Sequence, residues 1–435
     1  MKFVNVLFVV LLYCTHLSAQ VTLPNNLYFT HIGVEDGLCQ NTVCCILQDH
    51  LGFIWLGTKD GLTRYGGYRF RVFKHDAADP MSIGNNFIRV LYEDADGLIW
   101  IGTNVGVYIY NPETENFRKF DVATERGDVI SREVSSIKCD SSGDLWIGVN
   151  WQGVFRYDRR DESLELYEPV PGDTTSLSSV HVWDLCFDGD GNLWVGSQNG
   201  GLDRYDRETD RFVRHRLKGL SDVSRIVLDK QNQLLLGTMK DGLFSFNPYM
   251  GTCQPLLLDS GHKDLFVRAI FVRNSREVVV GTENGIYIYD CVTRKTRHVN
   301  QELGNPYSLS CKAVYSIYCD KEGALWIGTY FGGVNYLPPS SSLIFDKFYP
   351  IGHSDRLSGK AVREFVRDES GIIWIGTEDQ GLNRFDPVSG KFTHYNSRNS
   401  GLSCDNVHGL CVDGDRLYIG TFFGGFNIMD LKTNE

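Results

Sequence analysis

Arginine, tryptophan, tyrosine and amide side chains recur in this chain beside positions that hardly vary. Those residue types hold sugar rings, because aromatic faces stack on CH surfaces while amides and guanidinium groups hydrogen-bond hydroxyls. One variable position lies five residues before a recurrent aspartate and holds Cys44, Arg89, Ser135, Trp183, Ser224, Arg268, Tyr315, Arg363 and His408, with Arg225 one residue further on. A second set, just after a recurrent glycine, includes Lys59, Asp60, Asn104, Asn150, Trp151, Gln198, Asn199, Lys240, Asn284, Tyr330 and Phe331. The candidate ligand-binding residues are Arg89, Asn104, Asn150, Trp151, Trp183, Arg225, Lys240, Arg268, Tyr315, Tyr330 and Phe331. Arg89, Arg225 and Arg268 add a hint of an acidic ligand, since arginine grips carboxylate or sulfate in a fork. The bland alternatives are a polar loop surface, and aromatic packing of Tyr330 or Phe331 against a following domain.

Catalysis finds no comparable foothold. No H-E-x-x-H, no G-x-S-x-G and no unique pair of carboxylates stands out, whereas an active site needs one asymmetric set of acid, base or nucleophile. "DGDGN" at Asp188 lacks the remainder of a calcium loop and reads as a hairpin turn. Eleven cysteines follow Cys14, with no C-x-x-C and no histidine at metal spacing, so small buried thiols are expected, with no metal and no cofactor.

The elements that must position these residues announce themselves by repetition. "IWLGT" at Ile54 returns as "IWIGT", "LWIGV", "LWVGS", "LLLGT", "VVVGT", "LWIGT", "IWIGT" and "LYIGT", nine times in all, with its glycine recurring every 41 to 48 residues from Gly57 to Gly420. An aliphatic residue stands fourteen residues before that glycine in most repeats: Val43, Ile88, Val134, Val182, Val223, Val267, Val314, Val362 and Val407 fill the place throughout. Asp49, Asp94, Asp140, Asp188, Asp229, Asp320 and Asp368 stand eight residues before their glycine, followed by turn formers, which predicts a hairpin of a first and second strand. A second turn glycine, a third strand ending on Tyr or Phe and a polar fourth strand complete each unit. Four antiparallel strands every ~45 residues predict propeller blades, with Trp55, Trp100, Trp146, Trp194, Trp326 and Trp374 buried between neighbours.

Nine units exceed one ordinary propeller. "LYFTHI" at Leu27 resembles a fourth strand and is expected to pair in the unit containing Gly328, closing a ring of seven. "PPSSS" then reads as a linker, and "IFDKFY" at Ile344 as the orphan strand of a second ring. The expected fold is all-β, a seven-bladed β-propeller of four-stranded antiparallel blades (20–339) followed by the first two blades of an incomplete second propeller (340–435). Residues 1–19 read as a signal peptide, with Lys2, an apolar run from Phe3 to Tyr13 and Ala19 before the cleavage point. "FNIMDL" reads as a third strand and "KTNE" as the turn after it, so the chain is expected to be a truncated reading frame or a fragment. The formal net charge is −11 with basic residues scattered singly, which argues against nucleic acid and an anionic membrane surface. No apolar stretch after residue 19 is long enough to cross a membrane, so no direct membrane insertion is expected once the signal is cleaved.

"GVEDGLCQNTVCCILQDHLGFIWLGTKDGLTRYGGYRF" and "GTYFGGVNY" resemble the two-component regulator propeller repeats in the periplasmic sensor region of Bacteroidetes-type hybrid two-component histidine kinases. The resemblance implies two seven-bladed propellers, a β-sandwich, a membrane helix, a kinase, a receiver and a DNA-binding module, of which only the beginning is expected here. It also implies a periplasmic location and the sensing of oligosaccharide from a glycan to regulate its utilisation genes. The implied partners are that oligosaccharide, the missing second-propeller blades and the downstream kinase region. This chain by itself is not expected to be an enzyme. A secreted propeller lyase or glycosidase, or a protein-interaction propeller, stays open as an alternative.

Overall fold

The computed structural model describes residues 22–217, 220, 222–256, 265–339, 347–350 and 356–434. The expected signal peptide, the serines at 340–342 and residues 344–346 of the expected orphan strand lie outside that set. The described residues are almost wholly β, with one 3₁₀ turn at Val34–Asp36. No helix among them is long and apolar enough to cross a membrane.

Each repeat folds into an antiparallel sheet with strands in chain order, as in a propeller blade, except that the seventh takes its outermost strand from Thr30–Ile32. The first uses Val43–Gln48, Ile54–Thr58, Gly61–Tyr65 and Phe70–Phe73. Eight sheets have four strands, and the ninth has three among the described residues, Val407–Asp413, Arg416–Thr421 and Gly425–Asp430. The recurrent aspartate explains why the hairpin forms at this place. In the first repeat Asp49 Oδ1 accepts the Phe53 amide at 2.8 Å and closes the turn, while Oδ2 accepts the Trp55 indole at 2.7 Å. The indole bond is repeated from Trp100 to Asp94, Trp146 to Asp140, Trp194 to Asp188, Trp326 to Asp320 and Trp374 to Asp368. One carboxylate thus fixes both the turn and the orientation of the largest core side chain.

The described residues fall into two compact units, divided at 301/302, 308/309 and 343/344. In the first, the opening strands of successive sheets lie side by side, and that of the seventh sheet, Val314–Cys319, returns to Val43–Gln48. The packing is repetitive at atomic level. A Cβ added to Gly57 would meet Ile88 at 2.7 Å, one on Gly102 would meet Val134 at 2.6 Å, and one on Gly328 would meet Val43 at 2.8 Å. Each glycine of the W-x-G phrase therefore seats the uniform aliphatic residue of the next sheet. Each tryptophan faces a third-strand aromatic of that sheet, Trp146 against Tyr205 at 4.7 Å and Trp326 against Tyr65 at 5.9 Å.

The early segment pairs as the outermost strand of the sheet containing Gly328, over a shorter span than Leu27–Ile32. Only Thr30, His31 and Ile32 are in register, with Tyr336, Asn335 and Val334. Phe29 is instead buried in the apolar cluster that includes Leu325 and Leu337, and Leu27 packs against that cluster.

In the second unit, Val362–Arg367, Ile373–Thr377, Leu382–Asp386 and Lys391–Tyr395 form one sheet, and Gly376 seats Val407 of the next (2.6 Å) as in the first unit. The Phe348 ring lies 4.9 Å from Phe385 and 5.7 Å from Phe392.

Candidate functional site

A β-bulge aims the variable side chains. In eight of the nine sheets the register between first and second strands skips one residue, and the skipped residue is Cys44, Arg89, Ser135, Trp183, Arg268, Tyr315, Arg363 or His408. A bulge leaves its extra residue outside the ladder and turns its side chain away from the sheet core, which is why this place varies while its neighbour stays aliphatic. Arg225 is the departure. It sits in register opposite Gly237, the place that Cys45, Val90, Ser136 and Asp184 fill in other sheets, so it is not the equivalent of Arg89 and Arg268.

Four of the bulge residues, Arg89, Arg268, Tyr315 and Arg363, face the residue fifteen positions later, at the start of the turn between second and third strands. Arg89 Nε donates to Asn104 Oδ1 at 2.7 Å, Arg268 Nε to Glu283 Oε1 at 2.7 Å, and the Tyr315 and Tyr330 rings lie 5.1 Å apart. In the second unit Arg363 pairs with Glu378 by the same rule, at 2.8 Å.

In the first unit these side chains gather around a cavity of about 210 Å³ lined by Arg89, Trp183, Arg225, Arg268 and Tyr315, together with Cys44, Lys59, Phe87, Glu133, Val134 and Ser135. Five of the eleven predicted residues therefore meet at one place. Asn104 supports Arg89 from behind, and Tyr330 backs Tyr315 while carrying Lys59 Nζ 4.3 Å above its ring. The other four do not line the cavity. Asn150 Oδ1 lies 3.2 Å from His181 Nδ1. Trp151, 65% exposed and with φ of 71°, stands edge-on to His181 at 4.1 Å. Phe331 is exposed beside Tyr330, and Lys240 is exposed with its backbone carbonyl bound by the Leu265 amide.

Phe87 and Glu133 were not among the candidates, although a signal existed. Both stand immediately before the uniform aliphatic residue, as does Phe266, and that place varies as sharply as the bulge. Arg89 lies 4.3 Å above Phe87, and Arg268 lies 3.8 Å above Phe266 and 4.6 Å above Tyr315, cation–π contacts that hold the guanidinium planes.

Four cations line the cavity, and they differ in how far they are neutralised. Arg89 Nη2 pairs with Glu133 at 3.0 Å and Arg268 Nη2 with Glu283 at 2.6 Å. Among the described residues Arg225 bonds only carbonyls, from Nε to Arg268 O and from Nη1 to Ser224 O, both at 2.7 Å. Burial lowers its pKa against the opposing pull of Asp184. Burial likewise pushes the Cys44 thiol up to about 11 despite the surrounding cations, so it is a neutral wall and not a nucleophile. Trp183 Nε1 is buried and has no acceptor among the described residues. Among those residues no group of three or more His, Cys, Asp or Glu is placed to hold a metal.

Four stretches, residues 37–60, 82–105, 176–199 and 308–331, match the two component regulator propeller family. Each begins ahead of a bulged strand and ends on the turn that faces it. The chain carries two-component regulator propeller repeats. Over 94% of its length it superposes on an extracellular domain assigned to a hybrid two component system of B. thetaiotaomicron, with TM-score 0.76 and 27% identity, covering 54% of that domain. A second such domain from the same organism gives TM-score 0.62 at 19% identity, over 94% of this chain and 59% of that one. A 59-residue stretch, 14% of this chain, is 37% identical to histidine kinase P4 of Formosa agariphila and covers 4% of that kinase. A streptogramin B lyase is similar in fold alone, with TM-score 0.53 and 14% identity over 72% of this chain and 97% of the lyase. The repeats of this chain thus span about half the length of the solved extracellular domains and a small part of the kinase.

Proposed function

We infer that this chain is the ligand-sensing, extracytoplasmic propeller region of a hybrid two-component sensor, a seven-bladed propeller over 20–339 followed by blades of a second, and that it binds oligosaccharide in the periplasm. The observation that carries this reading is the bulge-aimed cavity, formed within repeats that match a two-component family. Aromatic faces at Trp183, Phe87 and Tyr315 lie beside guanidinium donors at Arg89 and Arg268, the pairing that sugar hydroxyls and CH surfaces require. The output belongs to partners, further blades and a kinase region of the same receptor, acting on the genes for glycan use.

A lyase or glycosidase reading has less support. The repeated aspartates, the most numerous ordered carboxylates, are occupied by indole and turn donors and form no asymmetric acid and base pair.

Calorimetry of the mature chain against a panel of oligosaccharides tests the proposal. Trp183→Ala, Arg89→Ala and Arg268→Ala should each weaken binding by about tenfold or more while leaving the melting temperature nearly unchanged. Trp146→Ala, between sheets, should do the reverse. Unchanged affinity in all three cavity variants would move the site elsewhere, and glycan cleavage during the titration would return the enzyme reading.

A further inference from the structure

Building on the reading of this cavity as a saccharide site, we propose that the saccharide is acidic, its carboxylate or sulfate anchored on Arg225 and a ring face set against Trp183. The charge inventory is what selects the class. Arg89 and Arg268 each have a carboxylate partner, but no carboxylate among the described residues lies within ion-pair distance of Arg225. Asp184, the carboxylate whose charge acts on Arg225, is already engaged. Its Oδ1 accepts Ser136 Oγ and the Leu185 amide, both at 2.9 Å, and its Oδ2 accepts the Ile226 amide at 3.0 Å.

A guanidinium in a recessed cavity, with carbonyls on two of its nitrogens and no counter-ion, favours an anion over a hydroxyl, because a hydroxyl satisfies donors without neutralising charge. Lys59 on the same lining adds a second cation with no carboxylate partner inside the cavity. Trp183 lines the same cavity and supplies the aromatic face for the ring. The cavity volume suits one sugar residue rather than a length of polymer. The chain carries a net charge of −11, so this local surplus of cations is a property of the site and not of the surface at large.

The test is calorimetry of the mature chain with galacturonate oligosaccharides and chondroitin sulfate disaccharides, each beside its carboxyl-reduced or desulfated counterpart, with the two sets separating carboxylate from sulfate. The acidic member of at least one pair should bind at least about tenfold more tightly than its neutral counterpart. Raising the ionic strength from about 0.05 to about 0.5 M should erode that advantage. Arg225→Gln should abolish it, and Arg225→Lys should keep part of it. If Arg225→Gln fails to fold, Lys59→Gln together with the salt series decides, since both must narrow the gap. Neutral sugars binding as well as acidic ones would overturn this inference and leave the saccharide site standing. Acidic preference unchanged in Arg225→Gln would overturn the anchor. No binding by any member of the panel would remove both.

Discussion

Asp203 shows how one residue can work against a repeated design. It is fully buried, with Oδ2 accepting the Ser178 amide at 2.9 Å and the Ser178 hydroxyl at 2.6 Å, while Oδ1 has no partner among the described residues. The same place in the seventh sheet is Asn335, whose Oδ1 accepts the Ser310 amide and whose Nδ2 donates to Ser310 Oγ. Asparagine supplies a donor where Asp203 offers only oxygen. Burial therefore raises the Asp203 carboxyl to about 6 against the Ser178 bonds and the charge of Arg214. The folded state favours the protonated acid, so this contribution is complete below the ordinary carboxylate pKa and is lost as pH rises through about 6. Asp203→Asn should stabilise the chain at about pH 8 by on the order of 2–3 kcal/mol, with the gain vanishing near about pH 4. Urea unfolding at the two pH values checks it, and an equal shift at both would assign the effect to packing. None of this was legible beforehand, because an aspartate in a strand declares neither its burial nor its partner. The hairpin aspartates were legible as turns, but their second role as tryptophan acceptors was not. It needs the strand register to bring residues six apart into contact.

At the scale of the element, the sequence spoke most clearly where packing is periodic. The W-x-G glycines and the uniform aliphatic residues were visible as fixed positions, and their contact across neighbouring sheets explains the fixity. It also separates glycines that look alike. At Gly328 a Cβ would meet Ser316 Oγ at 2.3 Å and Val43 at 2.8 Å, whereas at Gly420 the nearest atom beyond its chain neighbours is 3.8 Å away. Gly328→Ala should cost roughly 1–3 kcal/mol by overpacking, and Gly420→Ala should be nearly neutral. Thermal melts of the two variants decide, and equal losses would mean that the glycines are kept for the strand backbone and not for the neighbour. The bulge was the part the sequence withheld. An extra residue in a ladder leaves no mark on an alternating pattern, and the shift shows only as one variable residue beside a fixed one. That contrast led to Arg89, Trp183, Arg268 and Tyr315, while Arg225, one residue beyond the variable place held by Ser224, entered only by its charge. In its sheet the paired register begins at Arg225 opposite Gly237, so the arginine falls inside the ladder, one place beyond the bulge of the other sheets. The turn residues among the eleven candidates fared unevenly, since none of them lines the cavity and only Asn104 and Tyr330 touch it indirectly, by holding Arg89 and Tyr315.

At the scale of the molecule, the cavity is assembled from side chains up to 271 residues apart in sequence, from Cys44 to Tyr315, so a scattered charge pattern concealed a local concentration of cations. Ring closure has the same long-range character. Its strand could be read because "THI" resembles other fourth strands, yet the clasp ahead of it could not. The Leu23 amide donates to Glu277 Oε2 at 2.9 Å, and Arg297 Nη1 donates to Asn25 O at 2.7 Å, so the early segment ties down the sixth sheet as well as completing the seventh. A chain beginning at Gly33 would lose that clasp, the three-residue ladder and the burial of Phe29, which is 2% exposed. Burial of that one ring is worth ~2–3 kcal/mol, and Val334–Leu337 would become an open edge able to pair with another chain. Such a chain should melt several degrees lower and associate in a concentration-dependent way. A chain ending at Pro339 keeps all seven sheets of the first unit, and because blade contacts run mainly between neighbours it should retain the melting transition of that unit. Calorimetric scans and light scattering of the two shortened chains test the contrast. If the chain beginning at Gly33 melts as high as the full chain and stays monomeric, the ring is held by contacts between its blades alone, and Thr30–Ile32 is an ornament of the fold and not its closure.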